Sequence, residues 1–210
     1  GDVRGRIKLT APRTFSDAPI GQSLIDFAKT YPDIVLEIHL DDRFVDLVEE
    51  GFDLAVRISR LENSSLIARR LAPFALRICA APALLERHGT PQVPQDLSRL
   101  PCIIDTNGRW LSNWPFMREG GEMFSVAVAG PMEVNSPLST RAAAIAGLGF
   151  ATLPDFIAQP AIDSGELVPV LQDWLPRGGG IFAVYPHRRY LPGKVRVFVD
   201  FLAQWFKDHG

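Results

Sequence analysis

Between Arg6 and Ile58 the spacing of apolar residues switches repeatedly between a period of two and a period of about 3.6, and that alternation constrains the chain more than any other feature. Ile7, Leu9 and Ala11 alternate along Arg6 to Ala11, the pattern of a strand with one buried face. Ser16-Asp17-Ala18-Pro19 then offers a capping side chain followed by a proline, the signals of a helix start. Ile20, Leu24, Phe27, Ala28 and Tyr31 keep helical spacing until Pro32-Asp33 stops it. Ile34, Leu36, Ile38 and Leu40 alternate again. Phe44, Leu47 and Val48 predict a short helix ended by Gly51, and Asp53 to Ile58 predicts the next strand. Strand, helix, strand, helix, strand in so short a stretch calls for βαβ units and a mainly parallel sheet. The fold class is α/β.

The remainder repeats the theme with more interruptions. Two apolar stretches flank Pro73 between Leu66 and Ala81, and a helix follows Pro82 and ends near His88-Gly89. Pro91, Pro94 and Pro101 punctuate a loop-rich passage. Strand-like pieces follow at Cys102–Asp105, Phe124–Ala129 and Met132–Val134. Ser136-Pro137 opens an alanine-rich helix closed by Gly147, then come a strand to Leu153, a helix from Asp155 to Asp163, and a strand at Leu167–Leu171. Ile181 to Tyr185 is an apolar strand. Val195, Phe198, Val199, Leu202 and Phe206 mark one face of a terminal amphipathic helix. The middle region has elements enough to bury a core of its own, so two lobes are expected without a flexible linker.

The 210 residues, 47% of them hydrophobic, suffice for such cores. The formal charge of -2 and the scatter of its 22 basic residues argue against autonomous nucleic-acid binding, which needs a basic stripe. His187-Arg188-Arg189 reads as a solvated corner. Cys79 and Cys102 sit in apolar stretches and read as buried, reduced thiols. No apolar run of about 18 residues predicts a membrane span. Asn63-Ser64-Ser65 fits a glycosylation triplet, without meaning in a cytoplasmic protein.

Specific segments, taken in order, resemble the effector domain of LysR-type transcriptional regulators. Gly5-Arg6-Ile7-Lys8-Leu9-Thr10-Ala11-Pro12 is similar to that family's first strand, and Phe27 to Glu37 resembles its helix, tyrosine-proline stop and next strand. The most specific stretch is Val45-Asp46-Leu47-Val48-Glu49-Glu50-Gly51-Phe52-Asp53-Leu54-Ala55-Val56-Arg57-Ile58. Further matches run through Leu66–Leu71, Ala80–Pro82, His88–Pro91, Ala146–Phe150, Gly165–Val168 and Val184–Arg189. The resemblance implies a two-lobed periplasmic-binding-protein-like (type 2) fold with two crossover strands, lobe I being 1–77 plus 183–210 and lobe II 78–182. It also implies a winged helix-turn-helix upstream of this chain, through which alone operator DNA would be bound.

In such a fold a small organic effector, an organic anion or an aromatic, is expected between the lobes, against strand ends and helix starts. The candidate ligand-binding residues are Arg13, Thr14, Phe15, Ser16, Arg57, Asn135, Ser136 and Pro137: hydroxyls and an amide as hydrogen-bond partners, Phe15 as an apolar wall. Each has a plainer reading. Ser16 and Ser136 fit helix caps equally well, Arg13 and Arg57 fit ion pairs, and Trp110 and Trp114 fit either a pocket wall or core. No cofactor or metal is expected. The resemblance further implies homodimers or tetramers through helix 19–31, strand 34–40 and helix 195–208.

Two rivals remain. An enzyme lacks support, since no Gly-x-Ser-x-Gly, Ser-x-x-Lys or phosphate-binding loop occurs, Gly147-Leu148-Gly149 follows a helix in the wrong order for a dinucleotide, and His39, His88, His187 and His209 are isolated. A free-standing periplasmic solute-binding protein of a transporter shares the fold. An upstream helix-turn-helix or signal peptide in the gene discriminates it from the regulator.

Overall fold

The computed structural model describes residues 3–17, 21–43, 45–59, 67–107, 110–186 and 191–210, without the side chains of Ser16, Asp17 and Ser59. The expectations placed on Pro19 and Ile20, Phe44, Asn63-Ser64-Ser65, His187-Arg188-Arg189 and the Ser16 side chain lie outside the described residues. In chain order the elements are β1 (Gly5–Ala11), α1 (Arg13–Asp17), α2 (Gln22–Thr30), β2 (Ile34–Leu40), β3 (Leu54–Ser59), β4 (Ile67–Pro73), β5 (Leu76–Ala80) and α3 (Pro82–His88). They continue with β6 (Pro101–Asp105), β7 (Asn113–Met117), β8 (Met123–Ala127), β9 (Ala129–Val134), α4 (Pro137–Ile145), β10 (Phe150–Pro154) and α5 (Asp155–Asp163). The last are β11 (Val168–Val170), β12 (Gly180–Tyr185) and α6 (Gly193–Asp208).

The chain divides into two compact units, Gly1–Phe74 with Gly178–Gly210, and Ala75–Arg177. The first is built on a five-stranded sheet in the order β2-β1-β3-β12-β4. β1 pairs in parallel with β2 and β3, as the βαβ reading requires, whereas β12 runs antiparallel to both β3 and β4. The sheet is therefore mixed, because its fourth strand arrives from the far end of the sequence. Ile7, Leu9, Val56 and Ala183 point to one face and meet Phe27 of α2 and Phe198 and Leu202 of α6. On the other face Ala55, Phe182 and Val184 are covered by Leu47 and Phe52. Trp205 ties the two helices together, its indole N–H donating to Asp26 Oδ2 at 2.9 Å.

The helix expected around Leu47 is instead a set of hydrogen-bonded turns. Asp46 Oδ1 accepts the N–H groups of Val48 and Glu49 at 3.1 and 3.0 Å, a side-chain alternative to helical bonding. The terminator works as anticipated. Gly51 has φ +74, with Gly51 N–H donating to Val48 O and Phe52 N–H to Leu47 O, the paired bonds of a left-handed cap.

The second unit has a sheet in the order β11-β5-β10-β6-β9 and a separate β7-β8 hairpin. β10, β6 and β9 are mutually parallel, while β5 is antiparallel to β10 and β11. Its core gathers Ile78, Leu84, Leu97, Cys102, Trp114, Phe116 and Phe150. β7 was not legible in the sequence because Pro115 interrupts its pattern. In a two-stranded ribbon every strand is an edge, where proline is tolerated. Close approach dictates one glycine in particular: a Cβ on Gly130 would stand 1.8 Å from Cys102 O.

Candidate functional site

Parallel strands deliver their carboxyl ends to one side of a sheet, and each unit has such an end. In the first, β1 and β2 finish together at Ala11 and Leu40, and the chain after them carries Arg13, Thr14 and Phe15, then Asp41, Asp42 and Arg43. Asp41 N–H donates to Ala11 O at 2.9 Å, which holds the loop after β2 against the end of β1. Arg43 Nε and Nη2 donate to Asp41 Oδ2 at 2.8 Å and Glu50 Oε1 at 2.9 Å. The backbone N–H of Arg43 and then its guanidinium hold the Asp41 carboxyl below its ordinary range. Arg57 is half-buried and donates to Val56 O and Arg43 O. Burial lowers its pKa and the charges of Asp42 and Asp41 offset part of that effect, so Arg57 remains a cation anchored on carbonyls.

The helix after β1 begins at Arg13, three residues before the expected cap at Ser16, with Phe15 N–H bonded to Pro12 O at 3.0 Å. Ser16 thus lies inside the helix. The first amide of α1, that of Arg13, donates to Asp42 Oδ1 at 3.4 Å. A carboxylate of the protein itself stands at the helix start where a ligand anion was expected. Thr14 is 8% exposed, and its hydroxyl makes no hydrogen bond among the described residues. The apolar-wall reading of Phe15 needs correcting. Its ring is 0% exposed and packs edge-on to Phe206 at 6.3 Å, as part of the core.

In the second unit β6, β9 and β10 end at Asp105, Val134 and Pro154. Thr106 N–H donates to Val134 O at 2.9 Å, joining the first two ends. Asn135 is exposed and Pro137 is buried in the first turn of α4. Ser136 Oγ accepts the N–H of Ser139 at 3.2 Å, so the capping reading of Ser136 holds, and its hydroxyl hydrogen is still available as a donor. Asp155, which the sequence did not single out, opens α5 at the end of β10. Burial pushes its carboxyl up, against the opposing pull of the Phe156 N–H and the Arg77 charge. The two tryptophans separate: Trp114 is core at 1% exposed, while Trp110 is 39% exposed.

The two cysteines are not placed to bridge one another. Cys79 and Cys102 lie on β5 and β6 with β10 between them, so their backbones stand about 10 Å apart, beyond the roughly 7 Å limit for a disulfide. Burial pushes both thiols up to about 12, away from the reactive thiolate.

Comparison with known proteins gives this geometry a context. The family model for the LysR substrate binding domain matches residues 1–207. The HTH-type transcriptional regulator PtxR of Pseudomonas aeruginosa is 35% identical over 206 residues, covering 97% of this chain and 65% of that protein. The HTH-type transcriptional regulator DmlR of Escherichia coli is 33% identical over 213 residues, covering 99% and 69%. Among solved structures, the full-length Vibrio cholerae virulence activator AphB, a LysR-type regulator, superposes with a TM-score of 0.82 at 28% identity, covering 96% of this chain and 69% of that one. The chain therefore spans about two thirds of the length of these relatives.

Proposed function

Because this chain belongs to the LysR substrate-binding domain family, with the two-lobed periplasmic-binding-protein-like fold of those regulatory domains, we propose that it senses a small effector for a bacterial transcriptional regulator whose DNA-reading segment lies elsewhere in the protein. The observation that carries this reading is a family match over residues 1–207, nearly the whole chain. Effector recognition falls to Arg13, Thr14 and Ser16 of α1 with Arg57 of β3 in one unit, and to Asn135, Ser136 and Pro137 after β9 in the other. The Arg57 guanidinium and the Thr14 and Ser136 hydroxyls suit an organic anion or an aromatic acid. No covalent step and no cofactor are needed. An effector that favours one conformation shifts the population toward it by its differential affinity.

Self-association through β2, α2 and α6 transmits that shift. β2 is an edge strand with Val35, Ile38 and Leu40 at 51%, 36% and 40% exposure, and Ile25 of α2 is 53% exposed. An open edge beside surface apolar residues is material for a two-fold interface with a second copy. Among the described residues no helix is long and apolar enough to cross a membrane. A regulator of transcription acts in the cytoplasm, and regulation rather than turnover is the activity assigned here.

Thermal-shift screening against a metabolite panel tests the reading. A true effector at about 100 times its Kd adds about 2.7 kcal/mol, which raises Tm by roughly 5–11 °C in a chain of this size. A panel in which no compound stabilises the chain while one is chemically converted would overturn it.

A further inference from the structure

The first unit carries a concavity lined by none of the strand-end residues. A pocket of about 280 Å³ opens between β4, the end of β12 and the start of α6, lined by Arg69, Tyr185, Leu191, Arg196, Val199 and Asp200. Strand register places it on the opposite face of the sheet from Arg57. Ala183 pairs with Val56 and Arg69, and Val56 and Ala183 are core residues beneath α6, so Arg69 rises on the α6 side. Phe182 pairs with Arg57 and Arg70, which therefore point to the other side.

The charges in the pocket do not cancel. Arg196, Val199 and Asp200 follow one another at helical spacing on one face of α6. Asp200 is taken by an ion pair with Arg69. Arg196 makes no ion pair or side-chain hydrogen bond among the described residues, and neither does the Tyr185 hydroxyl make a hydrogen bond. Among the described lining residues, two arginines against one aspartate leave an excess of one positive charge. Leu191 supplies apolar surface beside it, with the buried Val199 beneath.

We propose that this pocket is a second ligand site, for a small organic acid carrying one carboxylate on a compact apolar body. The guanidinium of Arg196 offers a planar fork that matches a carboxylate, with the Tyr185 hydroxyl as an additional donor. The body rests on Leu191. A volume just under the roughly 300–1,000 Å³ of drug-sized sites limits the ligand to a small one. A single excess charge beside Asp200 suits a monoanion and disfavours a phosphate dianion. None of this depends on the strand-end turns reading an effector.

The test is an NMR titration of the isotopically labelled chain with cyclohexanecarboxylate, cyclohexanecarboxamide and inorganic phosphate. Cyclohexanecarboxylate is expected to shift amides of residues 67–70, 184–185 and 195–201 saturably, and the carboxamide to bind about tenfold more weakly. Arg196→Gln, at an exposed helical position that leaves Tm unchanged, weakens the carboxylate about tenfold, with Arg196→Lys intermediate. Asp200→Asn removes the competing carboxylate and tightens binding about threefold. The proposal falls if the carboxylate produces no shifts, if acid, amide and phosphate bind alike, or if Arg196→Gln leaves affinity unchanged. Shifts centred on residues 11–15 or 135–140 would also overturn it, while leaving the effector reading of those turns standing.

Discussion

The turn from β1 into α1 and the turn from β9 into α4 carry similar sequence signals and are built differently. Both place a polar side chain and a proline beside a helix start. In the second unit, Ser136 caps its own helix through Ser139 N–H, Pro137 fills the first turn, and nine residues of helix follow. In the first unit the helix is five residues long, Phe15 anchors it in the core, and the carboxylate at its first amide comes from Asp42, which lies 29 residues away in sequence. A local turn can be read from local sequence. A turn completed by a distant segment cannot, because its satisfying group belongs to another loop.

This contrast assigns different costs to equivalent substitutions. Phe15→Ala, which empties a core site, is expected to cost about 3–5 kcal/mol in urea unfolding. A loss under about 1 kcal/mol would return Phe15 to the role of a pocket wall. Ser136→Ala removes a cap and should cost about 1 kcal/mol, with Ser136→Asn restoring most of it. Asp42→Ala loses a bond to the Arg13 N–H that is long and exposed, so the helix-start contribution of that bond is expected to be smaller than that of the Ser136 cap. An equal cost for the two would erase the distinction between the turns.

The carboxylates at the two strand ends are expected to titrate in opposite senses from the ordinary value of about 3.9. Asp41, held low by Arg43, contributes stability that is present above about pH 4 and lost as pH falls through its lowered value. Asp155, pushed up by burial, contributes the reverse: stability falls as pH rises from about 4 through its raised value. Carboxyl NMR titration of the two residues checks this directly, and like-signed shifts would contradict the local environments described here.

Much of the fold was legible where period and punctuation agreed. The β2 strand, with Ile34 and Leu40 at its ends, and the α5 helix, opened by Asp155, match the pattern residue for residue. What was lost involved competition between local and distant partners. Asp46 bonds the amides that a helix at Leu47 would have used, and Pro115 hides a strand that survives because it has a neighbour on one side only. Of the candidate site, Asn135 and Ser136 follow the end of β9 and Thr14 lies in α1 just after β1, whereas Arg57 lies within β3 rather than at its end, and Phe15 is core. Asp42 went unnoticed because an isolated aspartate carries no sequence signal, and Asp155 was read only as the first residue of its helix, since its burial arises when folding places it at the end of β10.

The central claim is that the strand-end turns read the effector. Its most direct test is the effector response of operator binding in the full-length protein carrying Thr14→Val or Asn135→Ala, using the compound returned by the thermal screen. Each substitution is predicted to raise the effector concentration needed for half-response by about tenfold, with effector-free operator affinity unchanged. Parallel loss of effector response, basal operator affinity and Tm would show that these residues serve folding, and the claim would fail.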